Sequence, residues 1–90
     1  MRHYTLNLSD ISDRDALHAR LSGALMLPDY YGRNLDALKD CLTDIQTDFE
    51  IVINGYDIMH KAMEMYAEAF RNVLYEISKE NKHIKITYNS

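Results

Sequence analysis

Three aspartates, Asp36, Asp40 and Asp44, recur at intervals of four residues just after Asn34. On a helix that spacing stacks them along one edge, opposite the apolar positions Leu35, Leu38 and Leu42. Asp36 falls in the first turn, where the helix dipole stabilises a carboxylate. Asp40 sits mid-helix, where aspartate is a poor helix former, and Asp44 lies near the negative end. Each like-charged i,i+4 pair costs about 0.2–0.5 kcal/mol, so the stripe works against its own helix. Glu76 and Glu80 repeat the spacing near the end of a later helical segment, with Lys39 and Lys79 only partly offsetting these acids. Carboxylates placed against local rules point to a role outside the helix, although a solvated face gives the same pattern. Two chemistries are open to them. Asp36 and Asp40 could hold a divalent cation for hydrolysis, or the stripe could meet cations on another molecule. A convex helix has no pocket to exclude water, which favours the second.

Other chemistry-bearing motifs are missing from the chain. It contains no P-loop, GxGxxG, HExxH, GxSxG or CxxC. The four histidines, His3, His18, His60 and His83, fall in four different elements without an i,i+4 pair, and are expected as surface residues without a metal. Cys41 has no activating neighbour in sequence and reads as a structural thiol. Met59, Met63 and Met65 read as core filling rather than a methionine groove. Tyr30 and Tyr31 precede Gly32 in a loop beside the acidic helix. They either pack back on the core or stand out as interface residues.

The net charge of -4 is local. Between Pro28 and Glu50 stand six acids and two bases, whereas the rest of the chain is neutral. Nucleic acid and anionic membrane surfaces require the opposite sign, so the expected partner is a basic protein surface. With 47% hydrophobic and 27% charged residues, three Gly and one Pro, the 90 residues suit one domain spanning 1–90. No apolar run reaches the roughly 18 residues of a membrane span, and the start of the chain does not resemble a signal peptide. The lone cysteine excludes an internal disulfide, and an intracellular location is expected.

The elements that must position the acids follow from periodicity. Tyr4, Leu6 and Leu8 alternate as one face of a strand. Ser12 with Asp15 predicts a capping box, Leu17, Leu21, Ala24 and Leu25 a helical face, and Pro28 its end. Asn34 is the expected N-cap of the acidic helix, with Leu35, Leu38, Leu42 and Ile45 inward. Phe49–Ile53 reads as a strand covered on both sides or centred in a sheet. Asn54-Gly55 breaks it. A short helical piece around 57–61 then leads into a long amphipathic helix carrying Met63, Tyr66, Phe70, Val73, Leu74 and Ile77. Ile84, Ile86 and Tyr88 alternate in a last strand. The order β-α-α-β-(α)-α-β predicts an α/β fold: a three-stranded parallel β-sheet packed by helices, with the second strand central.

The run from Leu27 to Thr43, LPDYYGRNLDALKDCLT, strongly resembles the barstar family of ribonuclease inhibitors, and element order and length agree over essentially the whole chain. The resemblance implies a barstar-like fold, no cofactor and no enzymatic activity. It implies a cytoplasmic protein, monomeric when free, that forms a 1:1 complex with a small basic ribonuclease of the extracellular type. An alternative is the same scaffold redirected, as an immunity protein, to a different basic toxin. By position, Asp40 would fill the enzyme's phosphate site and mimic the RNA backbone. Asp36 would pair with basic groups at the cleft edge. Tyr30 would lie against a catalytic histidine, with Tyr31, Gly32 and Asn34 shaping the loop. Glu76 and Glu80 would flank from the other helix, and Thr43 and Asp44 complete the face. The family often carries tryptophan on this helix face and just after it, where this chain has Lys39 and Ile45. Lys39 either pairs with Asp36 or Asp40 or meets an acid on the partner. The second is the expectation, and under it Lys39→Glu weakens binding to the native partner.

Overall fold

The alternating start of the chain forms strand β1 (Arg2–Asn7) in a computed structural model that describes residues 2–89. Helix α1 (Arg14–Ala24) begins one residue later than a Ser12 cap would place it. Its N-cap is Asp13, whose Oδ1 accepts from the Ala16 amide at 2.8 Å, while Asp15 sits in the first turn. The helix also stops before Pro28. Leu25 N–H donates to the Leu21 carbonyl and Leu27 N–H to that of Ser22, with Met26 left-handed between them at φ 54°. The Leu27–Ser22 bond is the wider closure of a Schellman stop, with methionine in the left-handed position where glycine is usual.

Helix α2 (Leu35–Thr43) follows, then strand β2 (Phe49–Asn54), the short helix α3 (Tyr56–Ala62), helix α4 (Glu64–Glu80) and strand β3 (Ile84–Asn89). Gly55 is required at the β2–α3 junction. It has φ 77°, and a Cβ there would stand 2.6 Å from the Ser9 amide nitrogen. The strands pair in parallel in the order β1-β2-β3, aligning Tyr4 with Ile51 and Ile86, and Leu6 with Ile53 and Tyr88. The expected α/β architecture is what forms, with β2 in the centre.

Only one face of the sheet carries the core. Leu6, Phe49, Ile51, Ile53 and Ile84 point into it, beneath α1 over β1 and α4 over β3. On the opposite face His3 and Thr5 are exposed, and Glu50, Val52 and Thr87 are half-buried. Thus β2 is central but not covered on both sides. Its run reads as apolar because Val52 is the sole apolar residue turned outward from it. Polar bonds stabilise this open side. Glu50 Oε1 lies 2.7 Å from His3 Nδ1, and Glu50 Oε2 accepts from Thr87 Oγ1 at 3.0 Å. The bond to His3, then that from Thr87, holds the Glu50 carboxyl below the usual range.

Helix α2 packs mainly on α4, not on the strands. Leu38 and Leu42 are its buried residues, with Leu35 and, just past its end, Ile45 half-buried. Its C-terminus is tied down by Asn81, a buried polar residue following α4. Asn81 Nδ2 donates to the carbonyls of Leu42 (3.0 Å), Thr43 (3.3 Å) and Ile45 (2.8 Å), and Oδ1 accepts from the His83 amide (3.0 Å). The Leu42 carbonyl also accepts from the Asp44 and Ile45 amides, so Thr43 and Ile45 are the carbonyls that depend on this side chain. Asn81→Ala is expected to cost about 2–3 kcal/mol by leaving the part-buried Thr43 and Ile45 carbonyls and the His83 amide without this partner. In a domain of this size a thermal melt should shift down by roughly 10–20 °C.

Candidate functional site

The acidic face starts in the loop between α1 and α2. A turn closes it, with the Tyr31 amide donating to the Pro28 carbonyl at 2.9 Å. Asn34 then caps α2 as expected: its Oδ1 accepts from the Ala37 amide at 2.8 Å and its Nδ2 donates to the Gly32 carbonyl at 3.2 Å. Gly32 gives the loop room rather than an unusual dihedral, since a Cβ would sit 3.3 Å from the Ala37 methyl. The left-handed residue is its neighbour Arg33, at φ 56°.

The tyrosine pair divides. Tyr30 is 85% exposed, whereas Tyr31 is 7% exposed and supports the loop from beneath. Its hydroxyl lies 2.5 Å from Nδ1 of His18, whose Nε2 lies 2.7 Å from the Tyr66 hydroxyl. His18 is therefore a buried histidine and not the surface residue expected from sequence, 1% exposed at the junction of α1, the loop and α4. Burial pushes its pKa down, aided by Arg33 and opposed by Asp15. Burial likewise pushes the Tyr31 phenol well above its ordinary value. A neutral imidazole donates with one ring nitrogen and accepts with the other, so it can join both hydroxyls.

Along α2, Asp36, Asp40 and Asp44 are all exposed. Among the described residues no basic nitrogen lies within 4.0 Å of any of the three. Lys39 does not join them. Its Nζ lies 3.1 Å from Glu76 Oε2 and 3.5 Å from Glu80 Oε1, both on α4. Pairing with Asp36 or Asp40, the alternative to an acid on the partner, does not occur, because α2 lies on α4. The bond to Glu76, reinforced by Glu80, raises the Lys39 pKa. The Thr43 hydroxyl turns back to the Lys39 carbonyl at 2.7 Å. Cys41 is half-buried, and burial, then Asp40 and Asp44, push its thiol up, away from a reactive thiolate.

Two features escape the sequence reading. Met26, 77% exposed, joins Tyr30, Cys41, Asp44 and Ile45 around an open hollow of about 270 Å³ at the edge of the acidic face. The loop periodicity carries no signal for it, because its position depends on a left-handed backbone. On another flank, His60 of α3 and Glu64 and Glu68 of α4 bring ligand atoms within 4.8 Å of one another. Their spacing of four was legible, but a search for histidine pairs passes over it. Glu64 and Glu68 are solvated, and Glu68 is already 3.3 Å from His60 Nε2. The neighbouring hollow of about 580 Å³, lined by Tyr56, Asp57, Arg71 and Asn72 among others, shares no residue with the acidic face.

Fold and face together define a small α/β protein that displays an unneutralised carboxylate edge on an outer helix pinned near both ends. Comparison with known proteins gives the same direction. The family model described as "Barstar (barnase inhibitor)" matches residues 1–89. The Bacillus subtilis (strain 168) protein named "Putative ribonuclease inhibitor YrdF" is 35% identical over 83 residues, covering 91% of each chain. The chain belongs to the barstar family.

Two outcomes follow from the loop supports. Because folding lowers the His18 pKa, the unfolded chain binds the extra proton first. The stability that the neutral ring contributes is complete above its ordinary value of about 6.5 and is lost as pH falls through the interval down to the folded value. Urea unfolding between pH 8 and pH 5 should show this loss in the parent and a flatter profile in His18→Gln, whose amide keeps one donor and one acceptor. At Met26, a left-handed non-glycine residue costs about 1–2 kcal/mol, against about 0.5–1 kcal/mol of extra backbone entropy for glycine. Met26→Gly should therefore raise the melting temperature by a few degrees.

Proposed function

We propose that this chain is a cytoplasmic inhibitor of a small basic ribonuclease of the extracellular type. It forms a 1:1 complex and blocks the active site with α2 and the loop before it. The observation that carries this reading is the bare edge of Asp36, Asp40 and Asp44 on a helix held near both ends. A cleft that binds RNA is built for phosphates, so it is cationic. Carboxylates without intramolecular partners are free to replace those phosphates. Asp40, in the middle of the edge, occupies the phosphate site, with Asp36 and Asp44 on either side of it. Tyr30 supplies a large exposed ring next to the charges, and Met26 adds an apolar rim.

Family membership supports the inhibitor role, and the name of the Bacillus subtilis relative refers to ribonuclease inhibition. The protein acts by binding and not by catalysis, needs no cofactor, is monomeric when free, and binds neither nucleic acid nor membrane. Among the described residues no helix is long and apolar enough to cross a bilayer. Opposite charges on the two surfaces accelerate encounter, so association slows as salt rises. A second reading, immunity to another basic toxin, draws on the partial neutralisation of the face by Lys39.

Titration into cleavage assays of barnase and other small basic ribonucleases tests the first reading. Stoichiometric inhibition of at least one enzyme is expected, weakened about a hundredfold or more by Asp40→Ala. That size is general for truncating one member of a desolvated charge pair and is not specific to this chain. Unchanged inhibition by the variant would discard phosphate mimicry. Failure against every enzyme would discard the ribonuclease reading in favour of the second.

A further inference from the structure

The acidic surface has two differently prepared halves. On α2 the three aspartates stand without cationic partners, whereas on α4 Glu76 and Glu80 share Lys39 at 3.1 and 3.5 Å. Lys39 is the only basic residue within α2, and its side chain is 33% exposed, so its stem lies along the helix contact while its ammonium sits between the two carboxylates. An exposed ion pair adds little to stability in general, so this arrangement is weakly motivated as a stabilising device. Its effect on the surface is larger. A flank that would offer two free carboxylates instead offers a cluster of net charge -1, with its hydrogen-bonding capacity partly spent.

We propose that Lys39 is a specificity determinant: by holding Glu76 and Glu80 it fits the protein to a ribonuclease that is cationic opposite α2 but neutral or acidic opposite α4. This rests on the inhibitor reading above and narrows its partner class. An enzyme whose positive charge also extends opposite α4 meets an ammonium where it needs carboxylates. To bind, it must either displace Lys39 from its two partners or leave its own cations unpaired. Both penalties discriminate against that enzyme, while neither applies to a partner with an acceptor at that place. Selection by an unfavourable contact leaves the central carboxylates unchanged.

The test uses the full chain and, as probes, barnase and other small basic ribonucleases, with Lys39→Met keeping the apolar stem and releasing both glutamates. Inhibition constants and association rates are measured over a range of salt concentrations. Lys39→Met should bind at least one of these enzymes about tenfold more tightly than the parent, with faster association and a steeper salt dependence. Lys39→Met/Glu76→Gln/Glu80→Gln should lose that gain. A Lys39→Met protein that binds no better than the parent, or worse, overturns the proposal, as does failure of both to bind. A gain retained when both glutamates are removed overturns it too, because the gain then does not come from them. Asp40→Ala in the Lys39→Met background separates the two readings. If it has no effect on a complex that forms, the binding face itself is misassigned. If it abolishes binding while Lys39→Met gives no gain, only the specificity role fails.

Discussion

Helix α2 has little purchase on the sheet, and everything that the acidic face can do depends on holding that helix still. Asn81 is the central device. A helix ending at Thr43 leaves carbonyls without internal donors, and the chain must then turn to reach β2 at Phe49. One buried amide reaches the carbonyls of Leu42, Thr43 and Ile45, while accepting from the His83 amide at the entry to β3. The end of α2 is thereby joined to the end of α4. A charged helix resting on another by two buried leucines would otherwise be free to rotate its carboxylates.

The opposite end is secured by different chemistry. Tyr31, His18 and the half-buried Tyr66 form a chain from the loop through α1 to α4. Buried polar chains add definition only when each member is satisfied, and none of the buried side-chain polar atoms among the described residues lacks a partner. With both ends held, like charges at i,i+4 remain together at a local cost that the tertiary contacts offset. A surface arranged in advance loses little entropy when it meets a rigid cleft. The left-handed Met26 and Arg33 bracket the same loop, placing residues with backbone cost beside the face.

Much of this was legible from one dimension. Period-two runs determined the outer strands and a continuous apolar run the middle one, and the spacing of Leu38 and Leu42 against Asp36, Asp40 and Asp44 determined which side of α2 turns outward. The Asn34 cap follows from local chemistry alone, because a side chain that bonds an amide three residues ahead needs no distant partner. The most apolar strand lies in the centre of the parallel sheet, as its composition predicts. The cap falls at Asp13 and not Ser12, and the helix stops ahead of Pro28, since neighbouring polar residues compete for a cap and a left-handed stop has no obligatory residue.

The long-range partners were beyond the sequence. Nothing near Lys39 says that its ammonium belongs to Glu76 and Glu80, because that depends on α2 lying across α4. His18 carries the same composition signal as an exposed histidine, and only the packing of three elements buries it between two hydroxyls. Tyr30 and Tyr31 are adjacent and identical, yet one turn sends one outward and the other inward. Local spacing determines which side chains share a face, since helix and strand geometry repeat without reference to the rest of the chain. Which charges are left bare and which are neutralised is decided where elements distant in sequence touch, and that is a property of the folded molecule.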